Sequence, residues 1–319
     1  MRGDRGRKGS EPPAVSVVMT TYNGMAYVSE AIASIQFQTV DNWELIVIDD
    51  GSSDDTVAAV LSTGDARVRV FQNAVNIGQT ASLNLGLEEA RSGLIARLDQ
   101  DDLAMPTRLA EQLEMFEAHP ELVLVGSWAD IIDSEGQKTG DFRPPSYDDE
   151  IRRDLIEKLW ANPIAHSAVM YRRDDALLAG GYPSNVRLAN DYALWLRLLR
   201  LGAFANIPKP LCRLRLHEGQ ASRGPAFAES ARVVLISNGH LDNDLRPTGA
   251  AERRWRAARG EYSLEMLGVL LTTQFSPAVF RKYAPFLLKT AVCNPRGFLR
   301  IPTVLRRASG NRRSDGGGL

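Results

Sequence analysis

The first hundred residues alternate short apolar runs with longer segments of helical spacing, and the runs stop at polar, mostly acidic clusters. Val15–Met19 is β-branched and apolar and reads as a buried strand, broken by Thr20-Thr21-Tyr22-Asn23-Gly24. Ala26–Phe37 then places Val28, Ile32 and Ile35 near helical spacing. Glu44–Ile48 is a second strand, ending at Asp49-Asp50-Gly51-Ser52, and Ser53–Leu61 reads as a helix opened by Ser and Asp residues. Val68–Phe71 is a third strand, Thr80–Ala90 a helix, and Leu94–Leu98 a fourth strand ending at Asp99. Strands alternating with helices call for right-handed βαβ units around a mostly parallel sheet. Such sheets bind ligands beyond the carboxyl ends of their strands. Here those ends are Thr20–Asn23, Asp49–Ser52 and Asp99–Asp102.

Farther along, Arg108–His119 reads as a helix, Val123–Ile132 as a buried strand and Asp133–Gly140 as a turn. Asp148–Leu159 is predicted helical, Ala165–Tyr171 a strand, and Asp174–Ala179 a helix ended by Gly180-Gly181. Asp191–Leu201 reads as an amphipathic helix and Leu211–His217 as a strand; beyond about residue 225 the pattern is helical. The formal charge of -1 hides an asymmetry. Residues 251–319 carry 13 Lys+Arg against 4 Asp+Glu, and residues 1–250 carry 25 against 35. The chain is an acidic body with a basic tail, and its total charge points away from nucleic acid. Cys212 and Cys293 have no disulfide-framework or metal-ligand spacing, so a reducing cytosol is the expected compartment. The basic N-terminus is followed by no apolar segment and reads as a disordered leader over 1–13. Met266–Phe280, the longest uncharged stretch that is also apolar-leaning, is too short at about 1.5 Å per residue for a hydrocarbon core of roughly 30 Å.

Asp99-Gln100-Asp101-Asp102 sets three carboxylates in four residues at the end of an apolar strand. Like charges so crowded need compensation, which a hard divalent cation shared with substrate phosphates would supply; a solvated acidic turn is the plainer reading. Asp49-Asp50-Gly51 is equally a turn or an acid for a ribose or base. The first-strand loop lacks G-x-G-x-x-G, which argues against a nicotinamide enzyme, and no P-loop motif occurs. A nucleotidyltransferase would carry a glycine-rich basic loop there, also absent. Asp191 opens its helix either as a carboxylate favoured by the macrodipole or as a general base facing the same crevice. His166 either lines the acceptor side or is structural, while Trp195 is expected in the core.

VSVVMTTYNG, ELIVIDDGSSDDT, LDQDD with MPTRL after it, the GGY turn, NDYALWLRL and RLRLHEGQAS occur in this order. Over roughly residues 14–222 the chain resembles the family 2 glycosyltransferases, inverting enzymes of the GT-A fold that use nucleotide-diphosphate sugars. The resemblance implies an α/β GT-A fold: a Rossmann-like, mostly parallel sheet flanked by helices over 14–224, with a helical basic C-terminal region over 225–307 and a disordered tail over 308–319. It assigns Thr20 and Tyr22 to the nucleoside pocket, Tyr22 stacking on the base, and Asp50 to a uracil-type base. Asp99 and Asp101 match the DXD motif, Asp99 towards the ribose and Asp101, with Asp99, towards a Mn²⁺ or Mg²⁺ ion on the diphosphate. Asp102 falls to the sugar pocket, His217 near the diphosphate, and Asp191 matches the catalytic base. Relatives often carry Glu-Asp where this chain has Asn190-Asp191, and Tyr-Arg-x-His where it has Arg215-Leu216-His217.

The expected activity is transfer from a UDP-sugar or similar donor to a saccharide or lipid-linked acceptor, in cell-envelope polysaccharide or glycolipid synthesis. A non-catalytic nucleotide-sugar binding module is the alternative outside enzymes. The expected site of work is the cytoplasm. In the basic tail Phe280, Phe286, Phe298 and Leu305 alternate with Arg281, Lys282, Arg300 and Arg306. That pattern suits either a helical subdomain with a solvated basic face or peripheral contact with the inner face of the cytoplasmic membrane.

Overall fold

The computed structural model describes residues 12–157, 162–184 and 189–217. Residues 1–11 of the predicted leader over 1–13, the predicted helical region 225–307, the tail and Cys293 lie outside the described residues. The chain divides into two compact units, one of residues 1–151 with 163–229 and the other of residues 152–162 with 230–319; the architecture below is that of the first.

Three strands and their crossover helices follow the predicted order: β1 (Val15–Thr21), α1 (Val28–Gln36), β2 (Trp43–Asp49), α2 (Thr56–Leu61), β3 (Val68–Gln72) and α3 (Gln79–Glu89). β4 (Leu94–Arg97) completes a parallel half-sheet in the order β3-β2-β1-β4. Every residue of β1 and β2 is buried, which is why both read as near-continuous apolar runs. Helix α3 sits directly on the sheet because Gly86 faces Val18: a Cβ there would come within 2.5 Å of the Val18 Cγ1.

The second half is mixed. β5 (Leu103–Ala104), α4 (Arg108–Ala118), β6 (Leu122–Ile132), β7 (Lys138–Phe142) and α5 (Asp148–Glu157) lead to a 3₁₀ turn over His166–Ala168. Then come β8 (Met170–Arg172), α6 (Arg173–Leu178), α7 (Asn190–Leu198) and β9 (Ala203–Arg215). The sheet continues β4-β8-β6-β9-β5, with β7 paired to β6.

Four expectations change here. The turn predicted over Asp133–Gly140 is shorter, because Lys138–Phe142 returns as a strand against Ala129–Ile132. The strand predicted over Ala165–Tyr171 is interrupted by a 3₁₀ turn over His166–Ala168, and only Met170–Arg172 pairs as a strand. The predicted amphipathic helix is buried on nearly all sides: Tyr192, Ala193, Leu194, Trp195, Leu196 and Leu198 are all in the core. β9 starts eight residues before the predicted Leu211, because its polar and proline-bearing first half pairs with β6. Among the described residues no helix is long and apolar enough to cross a membrane.

Two arginines lie fully buried under the strand ends, Arg97 on β4 and Arg108 on α4. Arg108 Nη2 donates to the carbonyls of Arg97 at 2.7 Å and Val169 at 3.1 Å, and its Nε to Gln112 Oε1 at 3.1 Å. Burial pulls the Arg108 guanidinium below its ordinary range, with Cys212 and Asp102 opposing that fall. These bonds join β4, α4 and the residue before β8. Arg108→Leu strands buried acceptors and is expected to lower the unfolding free energy by about 2–4 kcal/mol in urea titrations. An unchanged midpoint and slope would refute this role.

Candidate active site at the strand ends

The carboxyl ends of β1, β2 and β4 face one crevice, and the three polar clusters meet there. At the end of β2, Asp49 and Asp50 are both buried. Asp49 fastens its own turn, accepting from Thr21 Oγ1 at 3.1 Å, from the Ser52 amide at 3.0 Å and from Ser52 Oγ at 2.5 Å. The Asp50 carboxylate accepts from Asn73 Nδ2, the Ile77 amide and the Gly78 amide, each at 2.9 Å. It therefore holds the 73–78 loop at the crevice edge. A carboxylate has about four lone-pair sites, so one remains for a ligand donor.

The β1 loop is tied to the acidic loop after β4. Gln100 Oε1 accepts the Tyr22 amide at 2.9 Å, and its Nε2 donates to the Tyr22 carbonyl at 3.3 Å. Gly24 makes room for this clasp, since a Cβ there would lie 2.2 Å from Gln100 Oε1. The Tyr22 ring itself is about half exposed (49%), free to pack on a ligand. Thr20 is buried, with its Oγ1 3.5 Å from the Arg97 guanidinium.

The three carboxylates after β4 are compensated in different ways. Asp99 accepts from Arg97 Nη2 at 2.5 Å and from Ser167 Oγ at 2.8 Å. Burial pushes its carboxyl up, but Arg97, His166 and Ser167 together hold it below the usual range. Asp101 meets His217 Nε2 at 2.9 Å through Oδ2. Burial and the Asp99 charge raise its carboxyl nonetheless. Asp102 is buried and accepts the Arg215 amide at 2.7 Å; burial, then Asp101 and Asp99, push it well above the ordinary value.

Arg215 closes the loop from β9. Its Nε donates to the Asp101 carbonyl at 2.9 Å, Nη2 to Glu30 at 2.8 Å and Nη1 to the Ser134 carbonyl at 2.9 Å. Its guanidinium stacks 4.5 Å from the Tyr27 ring centroid. Among the described residues no three His, Cys, Asp or Glu side chains form a ready-made metal cage. The donor set suits a cation whose remaining ligands come from a phosphate, the common arrangement for Mg²⁺. Asp101, raised by its neighbours and bonded through one oxygen to His217, is the carboxylate best placed for it; both oxygens of Asp99 already hold protein donors.

A buried polar patch lies under Asp99. His166 Nε2 is 3.0 Å from Tyr182 Oη, which is 3.1 Å from Tyr171 Oη. Asp191, in the first turn of α7, is close enough to disfavour ionisation of Tyr182. His166 in turn feels the Asp99 charge, so the His166–Tyr182 pair lies between the acidic loop and Asp191. Thr20, Tyr22, Asp99, Asp101, Asp102 and His217 thus gather at the loop after β4, Asp50 anchors the 73–78 loop beside β2, and Asp191 lies on the Tyr182 side. Arg97, Gln100, Ser167 and Arg215 are further members that sequence reasoning did not single out for the site, while Tyr182 belongs to the GGY turn, which the sequence reads first as a turn, with an acceptor contact open to it.

Burial, then the Arg97 charge, lowers His166 from 6.5 to about 3. Above pH 6.5 the imidazole is neutral in both folded and unfolded chains and contributes nothing. Below 6.5 the unfolded chain takes up a proton that the folded one refuses until about pH 3, so stability falls with falling pH. The loss is up to about 1.4 kcal/mol per pH unit across that window. His166→Gln is expected to flatten that part of the stability curve in urea unfolding at stepped pH; an equally steep variant would contradict this.

Comparison with known proteins places the arrangement. Residues 16–177 match the family model described as glycosyl transferase family 2. An uncharacterized glycosyltransferase of Haemophilus influenzae is 34% identical over 226 residues, covering 66% of this chain and 68% of its own. The amylovoran biosynthesis glycosyltransferase AmsE of Erwinia amylovora is 30% identical, covering 63% and 75%. Residues 1–349 of TarS from S. aureus, solved with UDP-GlcNAc, share the fold at TM-score 0.59 and 17% identity, over 92% of this chain and 91% of that one. The mannosyltransferase PcManGT of Pyrobaculum calidifontis, solved with GDP-Man and Mn²⁺, aligns at TM-score 0.51 and 18% identity, over 97% and 77%. With a parallel βαβ half-sheet, an acidic loop at its carboxyl edge and these relatives, the chain belongs to glycosyl transferase family 2 and is an enzyme that transfers sugars.

Proposed function

We propose that the chain is an inverting glycosyltransferase that moves a sugar from a nucleotide-diphosphate donor, UDP-sugars first, to a hydroxyl of a saccharide or lipid-linked acceptor. The observation that carries this is the acidic loop after β4, with three carboxylates gathered at the edge where a donor would enter. Support comes from fold neighbours solved with UDP-GlcNAc and with GDP-Man and Mn²⁺, and from a relative named for polysaccharide biosynthesis.

In this reading Tyr22 packs on the base and Asp50 offers its remaining lone pair to a base N–H. Asp99, oriented by Arg97 and Ser167, faces the ribose. Asp101, with Asp99 and His217 beside it, would hold a Mn²⁺ or Mg²⁺ ion, which would supply Lewis-acid neutralisation of the charge on the departing diphosphate. Asp102 fixes the acidic loop to β9 and borders the sugar.

Asp191 takes the proton of the acceptor hydroxyl as that oxygen attacks the anomeric carbon. The bond from that carbon to the diphosphate oxygen breaks, its electron pair leaves with the nucleoside diphosphate, and the configuration inverts. No covalent intermediate on the enzyme is needed. Localisation on the cytoplasmic side is proposed from the cysteine usage, and contact of the basic C-terminal region with an anionic membrane from the charge asymmetry.

The test is a panel of UDP-glucose, UDP-galactose, UDP-N-acetylglucosamine and GDP-mannose, assayed with Mn²⁺ for nucleoside diphosphate release. Asp191→Asn should lower the rate on the best donor by about 10²–10⁴-fold, the usual span for losing a general base. Calorimetric affinity for the nucleoside diphosphate should stay as in the parent enzyme. An Asp191→Asn enzyme of normal rate would overturn the assignment.

A further inference from the structure

Asp191 stands at the start of a helix, and the chain before it needs something rigid to fix its position. Ala189, which precedes the helix, has a left-handed backbone at φ 60° and ψ 30°. For a residue with a Cβ that conformation is strained and persists only where the surroundings enforce it. The enforcement comes from α3. Asn190 is 3% exposed, and its Nδ2 donates to Thr80 Oγ1 at 3.1 Å.

One helical turn farther along α3, Asn84 grips Tyr182. Its Nδ2 donates to the Tyr182 carbonyl and its Oδ1 accepts the Tyr182 amide, each at 2.8 Å. Gly181, at φ +66°, allows this approach, because a Cβ would lie 2.6 Å from Asn84 Oδ1. Thr80 and Asn84 are four apart and so share one face of α3. They hold the two ends of the segment from Tyr182 to Asn190. The helix that carries them is seated on β1 through Gly86, and β1 and β2 carry the donor-side loops. The position of Asp191 is therefore referred to the sheet through α3.

We propose that Asn190 is a positioning residue for Asp191, acting through its bond to Thr80. The proposal rests on the reading of Asp191 as the base. It also accounts for the departure from the Glu-Asp pair of relatives: a neutral amide can be buried beside Asp191 without adding a second carboxylate, and it brings a donor for the Thr80 hydroxyl.

The experiment compares Asn190→Leu, Thr80→Val, their double variant and Thr80→Ser in the full chain. The readouts are kcat and KM on the best donor of the panel and calorimetric binding of UDP or GDP. Asn190→Leu and Thr80→Val should each lower kcat by about tenfold or more, since misplacing a reacting group by 1 Å can cost about 10²-fold. Donor KM and nucleotide affinity should stay within about twofold. The double variant should be no worse than the worse single, because both remove one interaction. Thr80→Ser keeps the hydroxyl and should keep the rate, which a mere packing role would not require.

Should Asn190→Leu fail to fold, the Thr80→Val and Thr80→Ser pair decides alone. Normal kcat in Thr80→Val, or kcat and donor affinity falling together, would overturn the inference. An active Asp191→Asn enzyme removes the base reading and this inference with it. An inactive one beside a normal Thr80→Val removes this inference alone.

Discussion

Three carboxylates at the end of one buried strand repel one another, and much of the surrounding structure answers that repulsion. Asp99 is neutralised by the buried Arg97, Asp101 is hydrogen-bonded to His217, and Asp102 accepts a backbone amide of β9. These bonds tie the loop to β4 itself and, twice, to the end of β9, and Ser167 adds the turn before β8. The loop is held open to one side with its charge only partly offset, since burial and mutual repulsion still raise Asp101 and Asp102. In the proposed reading a bound cation would relieve that remaining repulsion.

Rigidity elsewhere serves the same crevice. The parallel half-sheet aligns three strand ends, and side-chain amides fasten the loops that leave them. Gln100 binds both backbone groups of Tyr22, and Asn84 does the same for Tyr182. In both cases a glycine, Gly24 or Gly181, vacates the space that the amide fills. An amide can satisfy a donor and an acceptor at once, which makes it suited to pinning extended backbone where no strand partner is available.

Strands β1 and β2 of the parallel half were legible because they are buried on both faces and read as near-continuous apolar runs. The acidic loop was legible because so many like charges at a strand end demand compensation. The compensating residues were harder to see. Arg97 interrupts an apolar strand and shares a strand face with Asp99 two residues on, a signal that a buried cation had a partner close by. Ser167, Gln100 and Arg215 act across 68, 78 and 114 residues of sequence, and no local pattern records such contacts. The return strand Lys138–Phe142 was missed because its polar residues alternate at the sheet edge without an apolar face. Helix α7 read as amphipathic, yet tertiary packing covers its remaining face, where Asn190 and Tyr192 are buried.

If the loop after β4 is kept acidic to share a cation with a donor diphosphate, anomalous diffraction at the manganese edge from crystals grown with UDP and Mn²⁺ should show it. One manganese peak is expected at the Asp101 carboxylate, shared with the diphosphate, with a His217 imidazole that no longer has Asp101 to itself. UDP bound in the crevice with no manganese at Asp99 or Asp101, and the His217–Asp101 pair intact, would contradict it.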